Sequence, residues 1–275
     1  MEQKYSTGAQ ESPFDIRTFT YIPDKAQIKG GIKWSPEDID NQHRVGICTG
    51  ISLVMRAQKY FGVKFSADFQ YLIQKRMENN WYEGSSISTA LNVGKKVGFL
   101  PYKEFPVGEE DRKLPYAEYI EKLKAIPEIE VVRLIEIAGK YKLKAYAGVP
   151  VSRDNLADAI DNAGALLVRY ALDTEWYREP IQPLRPSPNP TSGHAVNETN
   201  YDGGSFRIAN SWGTQWADNG TAYHMFKDLK PTEAWSVWFN EVPKEIVEQI
   251  ESRTSIIGKI MDLLQQVIVL LAKLK

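Results

Sequence analysis

Cys48 is the only cysteine in the 275-residue chain, so no disulfide within the chain and no cysteine-based zinc site can hold the fold together. Stability must come from packing, and the length suffices for one large domain or two packed lobes. Hydrophobic residues at 43% and charged residues at 25% are ordinary globular proportions. With 19 glycines and 15 prolines the chain is neither collagen-like nor broadly disordered. Lys and Arg number 34 against 35 acidic residues, which argues against a nucleic-acid partner, because such binding rests on a basic excess. The lone cysteine suits a reducing compartment. The opening Met1-Glu2-Gln3-Lys4 lacks the apolar core of a signal peptide. A cytoplasmic or otherwise non-secreted protein is therefore expected. The one strongly apolar run, Ile256 to Leu274, is interrupted by Lys259, Asp262, Gln265 and Gln266, so no transmembrane span is expected.

Periodicity divides the rest. Residues 1–33 are polar, end on Gly30-Gly31 and read as an extended arm. A largely apolar helix follows Cys48, from Thr49 to Phe61, and stops at Gly62. Ser66 caps a second helix to Met77, Ser86 or Ser88 opens a third that ends at Gly98, and Tyr116 to Ala125 is amphipathic. Ser152 caps one more helix to about Ala163. Strand patterns then take over: Ala165–Leu172, a hairpin of His194–Tyr201 and Phe206–Trp212 closed by Asp202-Gly203-Gly204, then Thr221–Phe226 and Ser236–Phe239. This order predicts an α+β fold: a main domain over 34–243, mainly helical over 34–125 and mainly β over 126–243. A proline-rich loop, 178–192, runs directly into His194.

Chemistry concentrates at two places. Cys48 opens a helix, whose dipole and free N–H groups favour a thiolate; the plainer reading of a lone cysteine is a small buried hydrophobe. Six residues earlier, Gln42 could donate to an oxyanion, together with the Cys48 backbone N–H. The second cluster is Gly193-His194-Ala195-Val196, followed by Asn210-Ser211-Trp212-Gly213-Thr214-Gln215-Trp216. Adjacent antiparallel strands would set an imidazole beside an amide that orients it. His43 and His224 compete, the first expected to face solvent and the second to be structural. No His/Asp/Glu cluster has metal spacing and no phosphate loop follows a strand, so no metal or cofactor is expected.

Taken in order, Gln42-x5-Cys48, Gly193-His194-Ala-Val and Asn210-Ser-Trp-Gly-x-x-Trp216 resemble the papain-like cysteine peptidases, over roughly Trp34 to Phe239. The 146 residues from Cys48 to His194 match that family's spacing of about 130–150. The resemblance implies a two-lobe fold, with a helical N-terminal lobe and an antiparallel, barrel-like β lobe flanking a cleft. It implies Cys48 as nucleophile, His194 as base and acid, Asn210 as its orienting amide and Gln42 in the oxyanion hole. Trp212 and Trp216 would shield the Asn–His pair, and Gly84, Ser85 and Gly193 would bind a peptide or protein substrate as an added strand. Ile47 and Thr49 flank Cys48 where the family usually has Ser and Trp. These departures and the missing disulfides suit an intracellular or prokaryote-type branch. An amidase or transpeptidase on the same scaffold shares the acyl-enzyme chemistry, and an inactive binding protein would keep the cleft. The arm and the proline loop are expected to flank the cleft ends. Residues 244–275 carry apolar positions spaced alternately by four and three, from Ile246 to Leu274, which fit a coiled-coil seam for homo-oligomers, a helix packed back on the domain, or an interfacial helix.

Overall fold

A computed structural model describes residues 5–13, 20, 31–172, 176 and 182–239. The C-terminal segment 244–275, with its expected seam, lies outside them. Five helices fall where capping and periodicity put them: α1 (Cys48–Phe61), α2 (Ala67–Glu78), α3 (Ile87–Lys96), α4 (Tyr116–Lys124) and, later in the chain, α6 (Arg153–Ala163). Ser66, Ser86 and Ser152 each accept a backbone N–H as N-caps, from Phe69, Thr89 and Asn155. Gly62 ends α1 in the left-handed region at φ 65°, which a glycine adopts without strain. The sequence reading left out α5 (Glu128–Ala138), which opens after Pro127 without a side-chain cap.

Among the described residues eight strands follow: β1 (Ala9–Gln10), β2 (Ser85–Ser86), β3 (Ala145–Gly148), β4 (Leu166–Leu172), β5 (Ser192–Tyr201), β6 (Ser205–Ala209), β7 (Thr221–Met225) and β8 (Glu233–Trp238). The last six form one antiparallel sheet in the order β3-β8-β4-β5-β6-β7. Among the described residues the end strands β3 and β7 are not paired with each other, so the barrel-like β lobe is a six-stranded sheet with no closed barrel. The hairpin turns at Asp202, whose carboxylate accepts from Ser205 N and Oγ at 3.1 and 2.7 Å.

Two apolar cores correspond to the two lobes. One packs α1 to α5 around Phe65, Phe69, Tyr71, Leu91, Phe99 and Leu134. The other lies on the sheet under α6 and contains Leu156, Ile160, Val168, Tyr170, Ile208 and Trp212. Where the lobes meet, Ser52 of α1 donates to Ala195 O at 3.0 Å and Asn197 Nδ2 donates to Ser52 O at 2.8 Å. These two bonds pin the first turns of α1 against β5. Among the described residues no helix is long and apolar enough to cross a membrane.

Candidate active site

Cys48 begins α1 and is fully buried. Since Ser52 lies one turn on and is tied to Ala195, the thiol comes to rest beside β5 at the residue following His194. The N–H groups of Ala195, Thr49 and Gly8 point at the sulfur and favour its ionised form. In the hairpin Asn197 pairs with Ala209, which puts Asn210 on the same face as His194, one diagonal away. His194 Nε2 and Asn210 Oδ1 are 2.7 Å apart. The amide oxygen can only accept, so Nε2 carries the proton and Nδ1 is left as a lone-pair acceptor with no hydrogen-bond partner. Trp212 stacks on the imidazole at 4.5 Å between centroids, and Trp216 meets Trp212 edge-on at 5.6 Å. Gln42, fully buried, takes Ser211 Oγ on its carbonyl at 2.7 Å, which aims its Nε2 toward the cleft. The structure thus brings Cys48, His194, Asn210, Gln42 and the two tryptophans together from α1, the hairpin and the segment before α1.

Buried charges hold the cleft walls in place where disulfides cannot. Lys75, fully buried on α2, donates to Gly84 O at 2.5 Å and Tyr82 O at 3.0 Å and pairs with Glu78 at 2.6 Å. Tyr71 Oη accepts Gly84 N at 3.1 Å and Glu78 accepts Ser85 Oγ at 2.6 Å, so α2 grips both backbone groups of Gly84. On the opposite wall Arg112 forks onto Asp68 and reaches Asp40 at 3.1 Å and Asn41 O at 2.8 Å. Its own carbonyl accepts Arg44 N at 3.1 Å, so it grips the chain on both sides of Gln42. Burial alone would lower the Arg112 pKa, but the Asp68 and Asp40 carboxylates override it and hold the guanidinium well above its usual value.

This architecture has solved counterparts. Xylellain, a cysteine protease from Xylella fastidiosa, superposes with a TM-score of 0.69 at 22% identity, over 87% of this chain and 98% of that one. Digestive procathepsin L 3 of Tenebrio molitor larval midgut matches at 0.57 and 15% identity, over 84% of this chain and 75% of that one. The proform of the ragweed pollen allergen Amb a 11, a cysteine protease, matches at 0.55 and 18% identity, over 87% and 77%. The fold is that of the papain-like cysteine proteases. No protein-family model matches the sequence, and the search of curated proteins finds no match.

The papain-like cleft of this chain is filled by its own arm. Residues 5–13 do not flank the cleft ends, as expected from sequence, but run through its centre as a strap. Ser6 O accepts from Gln42 Nε2 at 2.8 Å and Trp212 Nε1 at 3.1 Å, and Tyr5 stacks on Trp212 at 5.2 Å. Gly8 N donates to Gly193 O at 3.1 Å, and Gly8 O accepts from Ser85 N at 2.9 Å. Beyond it β1 continues parallel to β2, with Ala9 beside Ser85 and Gln10 beside Ser86. Gly84, Ser85 and Gly193 therefore all pair with or touch an extended peptide, and that peptide is the arm. The fit needs glycine on every side. A Cβ on Gly84, whose φ is 90°, would fall 2.2 Å from Gly8 O, and one on Gly193 would fall 2.0 Å from Ala9 O. The proline loop, in its described part, also bonds elsewhere: Leu184 N bonds Tyr223 O at 2.8 Å, and the loop meets the strap at Ser192, whose Oγ accepts Thr7 Oγ1 at 2.7 Å.

Under the strap the site is electrically silent. Burial pushes the Cys48 thiol up to about 11, against the help of the N–H groups around it. This reverses the lowered value that a helix N-terminus alone suggests. Burial likewise pulls His194 down to about 4, opposed by its bond to Asn210. Burial thus disfavours both the thiolate and the imidazolium while the strap is seated. Seated, the strap adds to a burial that favours neutral His194, so its hold is full above the ordinary histidine pKa and weakens as pH falls from about 6.5 toward about 4. Amide exchange at Gly8 and Ser85, corrected for intrinsic rate, should lose protection over that window; constant protection would refute the linkage.

The other histidines take structural places. His43, expected to face solvent, is instead half-buried with Nε2 3.1 Å from Glu109, and its carbonyl accepts Ser6 N. His224 is fully buried with Tyr170 at 2.8 Å and Glu198 at 3.2 Å. Sequence reasoning missed the strap, Lys75, Arg112, Ser52 and Asn197.

Proposed function

We propose that the chain is a papain-like cysteine peptidase acting through Cys48, His194, Asn210 and Gln42. The observation that carries this reading is the strap itself: an extended peptide lies over Cys48, bonded through Ser85, Gly193 and Gln42, as a substrate strand would be. His194 Nδ1, the ring nitrogen left bare by the Asn210 bond, takes the proton from the thiol. The thiolate attacks the substrate carbonyl carbon, and the resulting oxyanion is met by Gln42 Nε2 and the Cys48 N–H. When the tetrahedral species collapses, the C–N bond breaks and the imidazolium returns its proton to the departing amine. A water, deprotonated by His194, then hydrolyses the thioester. Trp212, stacked on the imidazole, keeps water from the His194–Asn210 bond.

An epoxide-type thiol inhibitor tests the reading. It should label the chain once per molecule, lose the label entirely on Cys48→Ala and label His194→Ala only weakly. Unlabelled protein, even with the strap unseated, would favour an inactive binding protein on the same scaffold. Labelling without cleavage of any peptide would point to an amidase or transpeptidase, which shares the chemistry as far as the acyl-enzyme.

A further inference from the structure

Arg169 sits on β4 opposite Ala195 of β5 and Glu233 of β8, with its side chain almost wholly buried. Its guanidinium lies against the residue before His194: a Cβ on Gly193 would stand 2.5 Å from Nε and 2.7 Å from Nη2. It therefore forms part of the cleft wall. Nε donates to the strap at Ala9 O, 2.9 Å away, and Nη1 donates to Thr232 Oγ1 at 2.9 Å. Among the described residues the carboxylate within 4 Å of it is Glu11, on the strap, at 3.8 Å and otherwise exposed to solvent. Glu233 faces it across the ladder but is turned away, accepting Trp235 Nε1 at 2.5 Å and Ser12 N at 3.3 Å. When the strap leaves, Ala9 O and Glu11 leave with it. The guanidinium then lines the cleft with its Ala9 and Glu11 partners gone; Glu233 loses the Ser12 N–H but keeps Trp235 Nε1, so an arriving carboxylate has to out-compete it for the guanidinium. Its planar fork matches a carboxylate bidentately.

We propose that Arg169 is a specificity-determining residue and that the substrates are peptides presenting an Asp or Glu side chain to it. This rests on the peptidase reading. The strap already shows the complement, with a carbonyl on Nε and a carboxylate approaching Nη1 from the same peptide segment. Neutral substrates leave the guanidinium unmatched and are cleaved more slowly.

The test is a positional peptide library on the full chain, both unsubstituted and carrying Gly8→Val. At one position Glu and Asp should exceed Gln and Asn by about tenfold or more in kcat/KM, with the ratio falling as salt is added. Arg169→Gln should bring the Glu-to-Gln ratio near one while the best neutral peptide is still cleaved, and Arg169→Glu should turn the preference to Lys or Arg. Equal rates for Glu and Gln at every position would overturn the inference and leave the peptidase reading standing. So would an acidic preference that survives Arg169→Gln. If those variants fail to fold, the Glu-to-Gln ratio of the unsubstituted cleft decides by itself. No cleavage and no inhibitor labelling would overturn both readings together.

Discussion

Cys48→Ala and His194→Ala are each expected to lower kcat for peptide hydrolysis by a factor on the order of 10⁵–10⁶, with no further loss when they are combined. The two side chains act as one unit: without the imidazole the thiol keeps its proton, and without the thiol the imidazole has nothing to activate. Asn210→Ala should cost less, on the order of 10²–10⁴, because Nε2 then loses its only bond and the ring its orientation. Gln42→Ala should cost about 10²–10³, the usual loss of one oxyanion donor. The order of these losses distinguishes catalysis at this cluster from a cleft that only binds. Steady-state kinetics on a fluorogenic peptide, with unfolding curves to confirm that each variant folds, measures it. Activity surviving Cys48→Ala would end the proposal.

Gly8→Val should raise both inhibitor labelling of Cys48 and peptide hydrolysis by at least about tenfold. A Cβ on Gly8 would lie 2.7 Å from Gly46 O and 2.9 Å from Gly84 Cα, both backbone atoms that cannot yield. The strap must therefore leave the slot, and Ser6 O releases Gln42 Nε2 as it goes. Small reporters and long substrates should gain alike, because the strap buries Cys48 itself rather than only the ends of the cleft. Deleting residues 1–27 should have the same effect. In the alkylation profile of the chain with its strap released the thiol should titrate well below about 11 as water and the imidazolium reach it. Unchanged labelling in Gly8→Val would show that the strap does not govern access.

Much of the candidate site is legible in the sequence, for a physical reason. Acyl transfer by a thiol needs a particular set of side chains, and the neighbours that place them are local in sequence: a helix opening at Cys48, and a hairpin closed by Asp202-Gly203-Gly204 that brings His194 to Asn210. The capping serines and Gly62 marked helix ends equally well, because capping is an interaction over three or four residues. α5 opens after Pro127 with no such cap; α4, likewise uncapped after Pro115, is marked by its amphipathic spacing alone.

What only the tertiary structure decided is whatever depends on partners far apart in the chain. Lys75 and Arg112 look like surface residues by type; they are buried because Gly84, Glu78, Asp68 and Asp40 surround them with carbonyls and carboxylates. The strap has no periodicity to read, and its seat exists only where Gly8, Gly46, Gly84 and Gly193 converge from four separate segments. Local sequence determined which groups could react. Long-range packing decided that those groups lie dry and neutral beneath the chain's own arm, because desolvation depends on what covers a site and not on the residues beside it in sequence.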